Sequence, residues 1–138
     1  MQIAFYKAIE GNLLDMIIGL CSFSKYSHVE FVFSDGICGS SSKRDNGVRL
    51  KKIDLKSGHW DVFDLKIDIS EESLRNWFEQ NSGSKYDVFG GICSIFRINF
   101  NIDYHIWFCS EILGIFTLGQ NNLNPGALYK QLLKNKLI

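Results

Sequence analysis

The run Ser27-His28-Val29-Glu30-Phe31-Val32-Phe33 constrains the fold of this 138-residue chain more than any other. Its β-branched and aromatic residues favour extended backbone, and strand alternation sends Val29, Phe31 and Phe33 one way and His28, Glu30 and Val32 the other. A continuous apolar row needs a sheet with a core beneath it. The opposite row sets two ionisable groups side by side. If that row faces solvent, both are ordinary solvated groups; if it is buried, Glu30 needs a partner, because an unpaired buried carboxylate is costly and shifts its pKa.

The turn signal Ser34-Asp35-Gly36 follows, then a short strand near Ile37 to Ser40 and a polar loop through Asn46-Gly47. A two-residue turn at Asp35-Gly36 places Ser41 opposite Glu30, whereas a three-residue turn places Ser40 there and Ser42 opposite His28. Further strands are expected at residues 2 to 7, Val48 to Ile53 and His59 to Leu65. Helical spacing predicts Asn12 to Cys21, with Leu13, Leu14, Ile17, Ile18 and Cys21 on one face that reads as core. Ser70-Glu71-Glu72 starts a second helix with Leu74, Trp77 and Phe78 as its buried stripe, ended by Ser82-Gly83. Trp107 to Leu118 is a third, and Pro125 opens a last one that ends near Lys130, Lys134 and Lys136. Tyr86 to Phe96 is apolar but broken by Gly90-Gly91, and Arg97 to Tyr104 reads as a loop. The pattern is α+β, an antiparallel sheet packed against helices, and the length allows a single domain over 1–138.

Fifteen basic residues balance fifteen acidic ones, and 46% of residues are hydrophobic, which excludes a disordered tail and a strongly basic nucleic-acid binder. The balance hides a local excess between Lys43 and Lys56, where six basic residues face two acidic ones. That stretch is either a solvated loop and edge strand or a surface for an anionic substrate or partner. The start lacks a basic region followed by an apolar stretch, and Ile112 to Tyr129 is broken by four polar amides and a proline, so neither Sec-type export nor a membrane span is expected. The expected location is the cytoplasm as synthesised, with delivery elsewhere left to another system. No Cys/His spacing suits zinc, and His28, His59 and His105 are scattered, so no metal or cofactor is expected.

The four cysteines read as thiols, with Cys21, Cys38 and Cys93 expected in the core. Cys109 differs because Trp107-Phe108-Cys109-Ser110-Glu111 brings an apolar approach to a helix start. It is either a buried small hydrophobe or a nucleophile, and a nucleophile needs a base and gains from a helix N-terminus. His28 is the natural base, with Glu30 on its own strand face to fix the tautomer.

Ser27-His28-Val29-Glu30, Ser34-Asp35-Gly36, Gly83-Ser84-Lys85-Tyr86-Asp87 and Phe108-Cys109-Ser110-Glu111 together resemble, in order, the motifs of circularly permuted papain-like cysteine hydrolases. These are the YiiX-like relatives of the NlpC peptidases, and the likeness to phage-encoded members is marked from Tyr26 to Gly36 and from Asp45 to Arg49. The resemblance spans residues 26 to 113 and implies a permuted papain-like fold, with the cysteine at the N-terminus of a helix packed on an antiparallel sheet and the histidine on a strand. It implies Cys109 as nucleophile and His28 as base. The family often draws its polar third member from the strand after the histidine strand, so Ser40 and Ser41 stand as alternatives to Glu30. Tyr86, Trp107 and His105 are the candidate substrate contacts, and Trp60 either lines a groove or fills core. The implied activity is cleavage of an amide in a peptide, foremost in peptidoglycan of the cell wall. The rivals are a cysteine acyltransferase or thioesterase, and a non-catalytic phage or effector binding protein. A delivery or inhibitor protein is the expected protein partner.

Overall fold

The computed structural model describes residues 1–86 and 106–138. In chain order the strands are β1 (Gln2–Lys7), β2 (Tyr26–Val32), β3 (Ile37–Ser42), β4 (Gly47–Lys52), β5 (Trp60–Asp64), β6 (Lys85–Tyr86) and β7 (Ile106–Trp107). The helices are α1 (Leu13–Cys21), α2 (Glu71–Gln80), α3 (Cys109–Leu118) and α4 (Pro125–Lys134), with a 3-10 turn at Ala8–Glu10. Five strands form one antiparallel sheet in the order β4-β3-β2-β1-β5, and β6 pairs in parallel with β7 beside it. The fold is α+β, as the sequence pattern predicts.

Turn chemistry sets the register on which the site depends. Phe33 N–H donates to Ile37 O at 2.9 Å and Gly36 N–H to Phe33 O at 3.0 Å, closing a three-residue loop in which Gly36 has φ +81°. The left-handed glycine is what a three-residue hairpin loop requires. Phe31 therefore pairs with Gly39 and Val32 with Cys38, so Ser40, not Ser41, lies across from Glu30. The β2/β3 ladder stops there, although both strands continue.

The inner face of the sheet buries Ile3, Phe5, Val29 and Phe31 against Leu74 and Phe78 of α2, Ile112 and Leu113 of α3, and Leu128 and Leu132 of α4. A smaller cluster covers part of the outer face, where Ala4, Val32 and Cys38 lie under Ile53, Leu55 and Trp60. The helix expected from Trp107 starts two residues later, since Trp107 pairs in β7 and Phe108 is the extended residue at the cap. Cys109 is consequently the first helical residue.

Helix α1 departs from expectation. Leu13, Ile17 and Cys21, read as core, are exposed, as are Met16 and Leu20. Among the described side chains of the helix Asp15 and Gly19 are the buried ones and Ile18 is half-buried, while the expectation for the Leu14 side chain falls outside what is described. Asn12 and Asp15 form a reciprocal cap at 3.0 and 3.1 Å, and Asp15 also accepts from the Ser27 hydroxyl at 3.1 Å and from Arg44. A Cβ on Gly19 would stand 2.5 Å from that of Ala8, so only glycine lets the helix lie this close. Polar contacts and close approach hold α1 down, which frees its aliphatic face. The expectations for Asp87, Gly90-Gly91, Cys93, the 97–104 loop and His105 fall outside the described residues.

Gly39 shows how tightly α2 seats on the sheet, because a Cβ there would meet the Phe78 ring at 2.9 Å and the Phe33 ring at 3.1 Å. Gly39→Val is predicted to destabilise the fold by about 1–3 kcal/mol through overpacking. The expected reading is a lower urea midpoint with an unchanged m-value.

Candidate active site

The three outer-face groups of the site come from neighbouring strands. His28 lies across from Tyr6, Glu30 from Ala4, and Arg49 of β4 from Ser40 of β3. Ser40 is fully buried and small, so the Arg49 side chain crosses β3 above it and reaches Glu30. Arg49 Nη1 donates to Glu30 Oε2 and Nη2 to Oε1, each at 2.6 Å, in a bidentate pair. Glu30 Oε1 also accepts from His28 Nε2 at 2.7 Å. Behind Arg49 stands Asp45, which accepts from its Nε at 2.9 Å and from Lys51 at 2.7 Å.

Glu30 is wholly buried. Burial alone would raise its pKa, but the hydrogen bonds from Arg49 and His28 outweigh that and hold the carboxyl below its ordinary range. With Nε2 donating to Glu30, Nδ1 is the ring nitrogen that remains, and Cys109 lies close enough to His28 to raise its pKa. Burial works against the imidazolium, yet the charge of Cys109 and the hydrogen bonds to Cys109 and Glu30 prevail and push His28 up to about 10. Arg49 is likewise held above its ordinary value, since Glu30 and Asp45 outweigh its burial. Burial pushes the Cys38 thiol up to about 12, which keeps that cysteine protonated and inert at neutral pH.

The β2/β3 ladder opens beside His28. Ser41 donates its hydroxyl to Trp107 O at 2.6 Å and so ties β3 to the strand leading into α3. Ser40 donates to Val29 O at 2.7 Å, filling in for the ladder bond that is missing there. Both alternative third members thus bond backbone carbonyls, and Glu30 is the group on His28. Phe108, the cap residue of α3, makes no side-chain cap, and Cys109 follows it in the first turn, whose N–H groups have no intrahelical partner. Trp107 packs its indole edge-on against Trp77 at 5.3 Å, and its buried Nε1 has no hydrogen-bond partner among the described residues. Tyr86 pairs its backbone with Trp107, and His105 lies outside the described residues.

A cleft of about 310 Å³ opens on the outer face, with Tyr6, His28, Glu30 and Trp60 along one wall and Arg44, Asp45, Arg49, Lys51, Lys52 and Asp54 along the other. Trp60 therefore lines the groove, its ring 6.3 Å from that of His28. Cys109 is only 3% exposed and lies behind His28. The residue that sequence reasoning missed is Arg49. Its signal is the partner that a buried Glu30 demands, and it comes from the basic stretch Lys43 to Lys56, read as either a solvated edge or a surface for an anion. Comparison with protein-family models, curated proteins and solved structures gives no match.

Two outcomes follow from these charges. A raised His28 contributes stability in full below its unfolded value of about 6.5, and loses it as pH rises through about 10; depressed Glu30 contributes above the ordinary carboxyl range and loses it as pH falls. The His28 ring protons should titrate by NMR with a midpoint near 10, and Cys109→Ser should lower that midpoint. An unchanged midpoint in the variant would separate the two side chains. Arg49→Met strands a buried carboxylate and is predicted to cost about 3–5 kcal/mol in urea unfolding at neutral pH, partly recovered by adding Glu30→Gln.

Proposed function

We propose that the chain is a cysteine hydrolase of the permuted papain-like type, cleaving an amide through an acyl-enzyme. One observation carries the reading: His28, Glu30 and Arg49 form a hydrogen-bonded line into a buried ion pair, and Cys109, at a helix N-terminus, lies close enough to His28 to raise its pKa. A buried line of alternating charge that ends beside a thiol has an acyl-transfer use that packing alone does not require.

His28 accepts the proton of the Cys109 thiol. The Cys109 sulfur attacks the carbonyl carbon, and the first-turn N–H groups of α3 stabilise the developing oxyanion. His28 gives its proton to the leaving amine as the C–N bond breaks, leaving a thioester. Water then loses a proton to His28 as its oxygen attacks, and the sulfur leaves as thiolate, restoring the pair. Glu30 holds the imidazole with Nδ1 toward the sulfur and balances its positive charge, and Arg49 holds Glu30. The charged lining of the cleft beside His28 suits a polar peptide better than an acyl chain, which favours a peptidoglycan stem peptide over a lipid thioester. The scissile carbonyl has to pass His28 to meet the sulfur.

Purified protein incubated with cell-wall sacculi, peptides and acyl thioesters is expected to release muropeptide fragments, read by mass spectrometry. Cys109→Ser should abolish release and His28→Ala should lower the rate about 10²–10⁴-fold. Alkylation supplies the second readout, with exposed Cys21 as internal reference. Cys109 labelling faster than Cys21, with the difference lost in His28→Ala, is the expected result. Slow labelling together with no Cys109-dependent product from any substrate class would leave a binding protein on the same fold, and products from thioesters alone would move the reading to a thioesterase.

A further inference from the structure

Six large apolar side chains crowd one end of the molecule in solvent: Ile9, Leu13, Met16, Ile17, Leu20 and Phe23, exposed by 46 to 88%. They line a groove of about 730 Å³ together with Ala8, Gly19 and Ser24, and its charged members are Lys7 and Lys25. Contiguous apolar surface of this kind marks an interaction site. Its exposure is built in, because Asp15 and Gly19 hold α1 against the rest of the fold and Phe23 has φ +48°, a conformation disfavoured for a residue with a Cβ.

We propose that this face docks the protein on an anionic lipid bilayer, with α1 lying in the interface and Leu20 and Phe23 inserted among the acyl chains. Charge selects the lipid over a second copy of the chain. Lys7 and Lys25 share one carboxylate, Asp61, at 3.3 and 2.9 Å, and the neighbouring Glu10 faces His59 at 3.8 Å, so the charges lining the groove itself are positive. A two-fold copy would bring lysine against lysine, with no acid among the groove residues to offset it. Lipid phosphates complement the same rim, and acyl chains fill a groove of aliphatic walls. This docking does not depend on the acyl-transfer chemistry.

The test is co-sedimentation of the full chain with vesicles of phosphatidylglycerol and phosphatidylcholine in equal parts, against vesicles of phosphatidylcholine alone. The protein should pellet with the anionic vesicles, less so at high salt. Leu20→Glu and Phe23→Glu should each weaken partitioning about tenfold or more, and Lys25→Glu should erase the preference for anionic lipid. Phe23 is 88% exposed, so Phe23→Glu keeps the test valid if Leu20→Glu alters the fold. Cys109→Ser should bind as the unaltered chain does. Failure to pellet, equal pelleting of the glutamate variants, or a dimer in light scattering that Leu20→Glu disperses would each overturn the proposal.

Discussion

The arrangement of this protein depends on one buried carboxylate. Glu30 has no solvent contact, and an ion of its size taken from water without partners would destabilise the fold by several kcal/mol. It accepts three charge-assisted hydrogen bonds from two partners, one on its own strand and one two strands away. Those bonds tie β2 to β4 across β3, so the register of three strands has to be correct before the charge is satisfied. A slip of one residue would turn Glu30 toward Phe5 and Ile112 and leave Arg49 without its pair. The ion pair is thus a better device for specifying the sheet than for stabilising it.

Its second consequence is directional. An imidazole with Nε2 committed to a carboxylate has only Nδ1 left, and the β2/β3 ladder is open beside it. The opening depends on the serines of β3. Larger side chains at 40 and 41 would obstruct both the guanidinium crossing and the approach of β7, while alanines would leave Val29 O without the donor that Ser40 provides. These residues were candidates for direct contact with the histidine. Their observed task is to let a sheet part without stranding backbone carbonyls.

Period-two alternation made the His28 and Glu30 pair legible in the sequence, and a helix start made Cys109 legible, because both signals are local. The hairpin register was narrowed to two options, and glycine at the left-handed position of a three-residue loop decides between them. Arg49 was hidden because its partner is nineteen residues away and its neighbours Lys51 and Lys52 point to solvent as an edge strand leads one to expect. Helix α1 misled for the opposite reason. Its aliphatic spacing is that of a core helix, and the residues that attach it, Asp15 and Gly19, carry no hydrophobic signal at all. Periodicity identifies a helical face but not which way the face points.

That inversion and the His28 cleft are joined through Asp15 and Asp61. Asp15 of α1 binds Arg44, which lines the cleft beside His28, and Asp61 joins Lys7 and Lys25 at the apolar rim to the buried Tyr26 hydroxyl at the start of the histidine strand. The Tyr26 bond is short, 2.6 Å, and burial together with Asp61 holds the phenol well above its ordinary pKa, so the link stays a neutral donor to a carboxylate throughout the physiological range. Anything that seats on α1 and draws Lys7 or Lys25 toward itself competes with Asp61 for them, and Asp61 is hydrogen-bonded to the strand that carries His28. Any transmission would be small, since half-exposed lysine pairs are worth at most about 1 kcal/mol. The buried Glu30 pair therefore keeps the site's own geometry from following every contact made outside.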